Sequence, residues 1–205
     1  MIQEKYTEWL NCATEDADLI EELGSIEGKE EEISDRFYRE LAFGTAGLRG
    51  VIGAGTNRMN IYIVRKATQG IANYIKKHCE NGSLAISYDS RIKSDVFARE
   101  TARVCAANGI KVYIYKELMP VPCLSYAVRY YHTSMGVMVT ASHNPAKYNG
   151  YKAYGPDGCQ ITDETADEVL ANINALNEFT DIQLMDFEEG VKKGLIEYIG
   201  DDCIE

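Results

Sequence analysis

The sequence predicts a layered α/β domain, and three observations predict it. From residue 84 onward, short apolar runs of strand length alternate with amphipathic segments of helix length. Glycine, proline and asparagine separate them, where the chain has to turn. The 205 residues, 45% of them hydrophobic, are enough to close one sizeable core.

Taken in order, residues 2–22 carry Tyr6, Trp9, Leu10 and Ala13 at helical spacing and predict one amphipathic helix, ended by Gly24 and Gly28. Residues 33–41 read as a second helix. Residues 43–55 then hold five glycines in thirteen positions around Arg49, the composition of a loop that turns tightly or approaches something closely. Asn60 is placed to cap a long helix over 61–79, with Ile63, Ala67, Ile71, Tyr74 and Ile75 on one face. Four strands are expected, over 84–88, 111–115, 135–140 and 151–154. Helices are expected over 94–108, stopped by Gly109, and over 121–131 after Pro120. The final helix is placed over 162–176, where Thr162 and Thr165 resemble a capped start. Domains of this kind meet their ligands at loops that follow the carboxyl ends of strands.

A net charge of −11 argues against a general nucleic-acid binder, which needs a basic face, and against attachment to anionic membranes. It does not argue against an anionic substrate, because a basic site can sit inside an acidic protein. The acidic run over 27–35 reads as a solvated helix face. Six cysteines (Cys12, Cys79, Cys105, Cys123, Cys159 and Cys203) are scattered, with neither a C-x-x-C pair nor zinc spacing, as for idle thiols in a reducing compartment. The N-terminus is polar and acidic where a signal peptide is basic and then apolar. No stretch approaches the ~18 apolar residues of a membrane span. A cytoplasmic protein is expected.

One segment stands apart: Val139-Thr140-Ala141-Ser142-His143-Asn144-Pro145, followed by Ala146-Lys147-Tyr148-Asn149-Gly150-Tyr151-Lys152. It begins where a strand ends, and Asn144-Pro145 and Asn149-Gly150 both force turns. Ser142 is thereby expected on a constrained loop with its hydroxyl turned to the ligand side of the sheet. A hydrolase elbow requires glycines where Thr140 and Asn144 stand. A phosphate-binding P-loop requires G-x-x-x-x-G-K, which is absent. Composition alone leaves an ordinary ligand loop and a catalytic loop equally open.

The stretch T-A-S-H-N-P with N-G-Y-K behind it resembles the active-site serine loop of the α-D-phosphohexomutase superfamily. Further segments match the same family in the same order. Phe43-Gly44-Thr45-Ala46-Gly47-Leu48-Arg49-Gly50 resembles its N-terminal glycine–arginine loop, and Tyr88-Asp89-Ser90-Arg91 its first strand-end motif. Pro120-Val121-Pro122 and Gly155-Pro156-Asp157-Gly158 also fit. The wording is most similar to the phosphoglucomutase/phosphopentomutase branch.

The resemblance implies a three-layer α/β/α domain with a mixed, mostly parallel four-stranded sheet, the first domain of such an enzyme. Residues 1–40 would form a helical extension and residues 41–205 the phosphoserine domain. Domains II–IV, with the sugar loop, the phosphate-clamping loop and the aspartate-rich metal loop, are not found in the sequence. The end of the chain, residues 199–205, reads as a cut before a second domain, and the fragment alone is expected to fold but to turn over little substrate. The implied reaction interconverts glucose 1-phosphate and glucose 6-phosphate through a phosphoserine and a bisphosphorylated sugar. A pentose or mannose phosphate, or a non-catalytic binding homologue, is the alternative.

By the same resemblance Ser142 carries the phosphoryl group and, through its phosphate, is the one Mg²⁺ ligand expected from this chain. Arg49 matches an arginine that reaches the phosphoryl region and contacts substrate. Lys152 matches a lysine that either acts on the sugar hydroxyl proton or pairs with phosphate. His143 either donates to the phosphate or orients the loop. Asn144 is a candidate substrate contact, although it and Asn149 more readily hold the loop's shape. Asp89 and Arg91 either orient the serine loop or make an internal contact. The expected partners are a sugar phosphate and the remaining domains of the same enzyme. Tyr130 and Tyr131 are expected in packing.

Overall fold

A computed structural model describes residues 1–200. Cys203 and the last five positions of the expected cut at 199–205 lie outside the described residues. Those described build a six-stranded sheet: β1 (Leu48–Val51), β2 (Ser83–Tyr88), β3 (Lys111–Tyr115), β4 (Met135–Val139), β5 (Tyr148–Tyr154) and β6 (Ile196–Ile199). The spatial order is β1-β5-β4-β2-β3-β6. β4, β2, β3 and β6 are parallel, while β5 runs antiparallel to both of its neighbours, β4 and β1. The sheet is mixed and mostly parallel, as expected, but has six strands instead of four.

The two additional strands have different origins. β1 lies inside the glycine-rich stretch expected to be a loop. Its residues LRGV carry little strand propensity. They become a strand because β5 offers a free edge, pairing Leu48 with Tyr151 and Arg49 with Gly150. Gly47 permits the approach: it has φ +74°, and a Cβ there would lie 1.9 Å from the Tyr151 carbonyl oxygen. β6 and the short helix before it come from the segment after residue 176, where no regular element was expected. β5 itself begins at Tyr148, three residues earlier than expected, because β1 and β4 pair along its whole length.

Helices α4 (Ile61–His78), α5 (Ser94–Ala107) and α7 (Asp163–Asn174) lie on one side, where the larger core gathers Ile71, Ile75, Leu84, Ile86, Phe97, Val137, Val139 and Tyr151. Helix α6 (Val121–Tyr130) covers the other face, over Ala85, Met138 and Tyr154. The result is three layers. Asn60 caps α4 as expected, its Oδ1 accepting from the Ile63 N–H at 3.0 Å. Thr162 caps α7 by accepting from Thr165. Tyr131 stacks on Tyr113 with ring centroids 4.7 Å apart, whereas Tyr130 stays about half exposed.

The N-terminal segment departs from expectation. Instead of one helix over 2–22 there are two, α1 (Ile2–Cys12) and α2 (Ala17–Ser25). The break is set by Asp16, whose carboxylate accepts from the Asp18 N–H and also pairs with Lys93 at 2.8 Å. Helix α3 (Glu30–Phe37) starts three residues before the expected 33–41 and stops four short of its end; Glu30, Glu31 and Glu32 occupy its first turn, where carboxylates suit the helix dipole. Helix α8 (Phe187–Lys192) makes α7 the penultimate helix. Trp9 is fully buried, edge-on to Phe37, Tyr62 and Phe179, so the first helices share one core with α4.

A buried ion cluster ties this corner together. Glu178 accepts from Trp9 Nε1 at 3.2 Å and pairs with Lys66 Nζ at 3.2 Å, which also reaches Glu40 at 3.0 Å. Burial, the largest single influence, would raise the Glu178 carboxyl, but the Lys66 and Lys5 charges and the hydrogen bonds it accepts together hold the group below its ordinary value. A depressed carboxyl lends stability above its unfolded pKa and loses it as pH falls through the folded one. Glu178→Gln is therefore expected to cost about 3 kcal/mol near pH 7, since it leaves Lys66 buried with half its partners. Thermal melts followed by circular dichroism should show the gap to wild type narrowing as pH falls below the ordinary glutamate pKa of about 4.3. A gap independent of pH would contradict the electrostatic account.

Candidate active site

β2 and β4 are parallel neighbours, with Tyr88 opposite Val139, so the loops at their carboxyl ends lie side by side. Asp89 leaves the first and Ser142 stands on the second. One Asp89 oxygen, Oδ2, accepts from the Thr140 hydroxyl at 2.5 Å. The other, Oδ1, accepts from the Arg91 N–H at 3.0 Å and the Ser94 hydroxyl at 2.8 Å. Thr140 Oγ1 in turn accepts the Ser142 N–H at 2.9 Å. A carboxylate on one loop thus orients a hydroxyl that fixes the backbone of the next.

Arg91 completes the clamp. Its Nη2 donates to the carbonyls of Ser142 (2.5 Å) and Asn144 (2.6 Å), and its Nη1 to those of Pro145 (3.2 Å) and Tyr148 (3.1 Å). One guanidinium thereby binds four carbonyls of a seven-residue stretch, a geometry that only a forked donor set can reach. Asp89 and Arg91 fill both roles the sequence left open: they pair with each other at 3.6 Å, and both bind the serine loop. Asn149 supports the same loop from beneath: its Nδ2 donates to the Ile92 carbonyl and the Ser94 hydroxyl, both at 3.0 Å.

Ser142 has φ +55°, a left-handed conformation that a residue with a Cβ adopts at a cost of ~1 kcal/mol. The Thr140 and Arg91 bonds on either side of its Cα hold it there. Ala141 before it is fully buried, whereas Ser142 itself is exposed. The loop is anchored in the protein and its hydroxyl faces solvent, lining a cleft of about 410 Å³ with Asp89, Ser90, Arg91, Asn144 and Ala146. His143 Nδ1 lies 3.4 Å from Ser142 Oγ. Asn144 donates its backbone N–H to the Ala141 carbonyl at 3.1 Å and lines the same cleft, which accords with a part in loop shape.

Arg49 and Lys152 stand elsewhere. Because Arg49 opposes Gly150 and side chains alternate along a strand, Arg49 and Lys152 share the face of the sheet away from Leu48 and Tyr151. Lys152 is partly exposed and opposes Met138 on β4, four residues before Ser142. Arg49 is level with the strand end but two strands from β4, a backbone separation of roughly 10 Å at ordinary strand spacing. Its side chain lines a second cleft, of about 430 Å³, together with Lys147 and Tyr148 of the serine loop. Ser142, His143 and Asn144 are thus gathered in one place, with Arg49 and Lys152 at its flank.

Thr140 and Ser94 are the supporting residues to which sequence reasoning gave no site role. For Thr140 a signal existed: a threonine two residues before the turn residue, able to accept that residue's N–H. Ser94 offered none, since its contact with Asp89 closes only after α5 packs. As for metal, among the described residues no group of three or more His, Cys, Asp or Glu side chains is placed to hold an ion. Both Asp89 oxygens are committed to the loop.

The family model described as "Phosphoglucomutase/phosphomannomutase, alpha/beta/alpha domain I" matches residues 40–179. A phosphoglucomutase of Staphylococcus haemolyticus is 45% identical over 157 residues, covering 77% of this chain and 29% of that protein. A Schizosaccharomyces pombe protein named "Probable phosphoribomutase" is 38% identical over 165 residues, covering 78% of this chain and 28% of its own length. The crystal structure of a Thermus thermophilus protein described as a "putative phosphomannomutase" superposes with a TM-score of 0.62 at 28% identity, over 78% of this chain and 32% of that one. The chain therefore spans under a third of the length of these relatives. With the family model covering more than half of its residues, the chain belongs to the phosphoglucomutase/phosphomannomutase family, as its α/β/α domain I.

Proposed function

We propose that this chain is the N-terminal, phosphoserine-bearing part of a phosphoglucomutase, an isomerase that interconverts glucose 1-phosphate and glucose 6-phosphate. The observation that carries the reading is the exposed Ser142 hydroxyl, held at φ +55° on a loop clamped by Arg91 and Thr140. In phosphoryl transfer most of the catalysis lies in positioning and charge neutralisation, and this loop supplies positioning. Residues 1–40 act as a helical extension and 41–205 as the phosphoserine domain, and domains II–IV of the same enzyme supply the sugar and metal loops.

In this reading Ser142 Oγ gives its phosphoryl group to one sugar oxygen and takes one back from the other end of the bisphosphorylated sugar. His143 Nδ1, beside Oγ, donates to the phosphate. Asn144 holds the loop and contacts substrate at the mouth of the cleft. Arg49 and Lys152, on the flanking sheet face, neutralise phosphate charge, and Lys152 is the candidate to handle the proton of the attacking sugar hydroxyl. The Ser142 phosphate, with carboxylates from another domain, would hold Mg²⁺, which when bound would supply charge neutralisation at the transferring group. Five free described cysteines support a cytoplasmic setting, and among the described residues no helix is long and apolar enough to cross a membrane. The likeness to a protein named as a phosphoribomutase favours a pentose phosphate as the second reading of the substrate.

The test is covalent. The complete enzyme, incubated with glucose 1,6-bisphosphate and Mg²⁺ and then digested, is expected to yield a phosphate-sized mass increase on the peptide containing Ser142. A label on another residue, or none, would refute the assignment.

A further inference from the structure

The cleft that Arg49 shares with the serine loop has features that the reaction at Ser142 does not call upon. In a protein of net charge −11, its lining includes Arg39, Arg49, Arg58 and Lys147 against one carboxylate, Asp35. Arg39, Arg49 and Lys147 are exposed, and among the described residues no ion pair engages any of the three. Arg39 is instead fixed by its own surroundings: Nε donates to Asn57 Oδ1 at 3.2 Å, and the guanidinium lies 5.0 Å from the Tyr38 ring centroid.

At the base sits Arg58, whose side chain is 9% exposed. It bonds the Asp35 carboxylate through Nη2 and the Asn57 carbonyl through Nη1 at 2.9 Å. Its Nε is shielded from solvent and has no partner. A buried guanidinium N–H left unsatisfied costs free energy, so the Arg58 side chain is held here mainly by its bonds to Asp35 and Asn57. Among clefts in an acidic molecule, one lined by four cationic side chains against a single carboxylate selects anions with several acceptor oxygens.

We propose that the cleft bounded by Arg39, Arg49, Asn57, Arg58 and Lys147 is a second anion site, which takes the dianionic group of a phosphate monoester or of inorganic phosphate. It is separate from the cleft that holds the Ser142 hydroxyl and touches it through Arg49 and the segment Lys147-Tyr148. Occupancy would set the charge beside the serine loop without the ligand reacting. Charge and burial define this site whether or not Ser142 carries a phosphoryl group.

The experiment titrates the 205-residue protein, with Ser142 unphosphorylated, with inorganic phosphate at constant ionic strength, following backbone amides by NMR. The amides of Gly50, Asn57, Arg58 and Tyr148 are expected to shift together along one saturating curve. Arg39→Gln and Lys147→Gln should each weaken that curve about tenfold, the loss of one charge-assisted contact. Lys192→Gln makes the same change in net charge at the opposite edge of the sheet and should leave affinity unchanged. Both substituted residues are exposed, so the variants are expected to fold, which their spectra report directly. Repeating the titration with glucose 1-phosphate separates two sources of the same chemistry. Equal affinity marks a site that recognises the phosphate group alone, and tighter binding that is also lost in Arg39→Gln marks one that recognises the sugar as well. Shifts confined to Asp89, Ser90 and Ala146, unchanged in Arg39→Gln, would place phosphate in the serine cleft and overturn the proposal. So would the absence of any saturable shift, or an equal loss in Lys192→Gln.

Discussion

Ser142→Ala in the complete enzyme is expected to lower turnover of glucose 1-phosphate by on the order of 10⁴-fold or more, since the covalent route then has no carrier. The fold should survive. The hydroxyl is exposed and its one neighbour, His143 Nδ1, lies at a weak 3.4 Å, so no buried partner is orphaned by its removal. Stability is expected within about 0.5 kcal/mol of wild type by denaturant unfolding. Ser142→Gly sharpens the comparison. Glycine relieves the left-handed backbone and should match or exceed wild-type stability while being equally inactive. Activity would then be tied to one oxygen atom and separated from loop strain. An alanine variant that retained even a hundredth of the activity would remove Ser142 from the chemistry.

The second large effect belongs to a residue that touches no reacting atom. Arg91→Met removes four hydrogen bonds to the carbonyls of Ser142, Asn144, Pro145 and Tyr148. Those carbonyls lie near the surface and can be rehydrated, so the cost to stability is expected near ~2 kcal/mol, well short of four charged hydrogen bonds. The cost to the reaction should be larger, about 10²-fold in kcat with a small change in KM, because displacement of the nucleophile acts on the transferring step. Arg91→Lys should recover only a little, since an ammonium is a point donor and cannot span four carbonyls. Hydrogen exchange at the Asn144 and Tyr148 amides, which close turns within the loop, should accelerate in both variants. Wild-type kcat with accelerated exchange would show that loop order and catalysis are uncoupled.

Arg91 also illustrates why the sequence was legible only in part. Its position after a strand and beside Asp89 marked it for either an orienting or an internal role, but the outcome depended on a loop more than fifty residues away. The helix over 61–78 was legible because its signals are local: an Asn cap and an apolar period. β1 was not, because LRGV has no strand signal of its own and acquires one only when Gly47 lets it lie against Tyr151. The N-terminal helix was read too long for a similar reason. Its apolar spacing runs on through Leu19 and Leu23, while the break at Asp16 depends on Lys93 from another part of the chain. Thr140 carried a visible turn signal without a visible role, since its partner Asp89 is local to it only in space.

Local residue patterns were enough to specify the layered α/β class, the alternation of elements from residue 83 to 174, the helix caps at Asn60 and Thr162, and the position of the serine loop at a strand's end. These rest on propensity, periodicity and turn chemistry, which act over a few neighbouring residues. The tertiary structure alone decided the two additional strands, the left-handed backbone of Ser142 and the separation of Arg49 from the serine into a cleft of its own. Each of these depends on groups far apart along the chain meeting at hydrogen-bond distance. Such meetings follow from how the sheet stacks its edges, which no local pattern encodes.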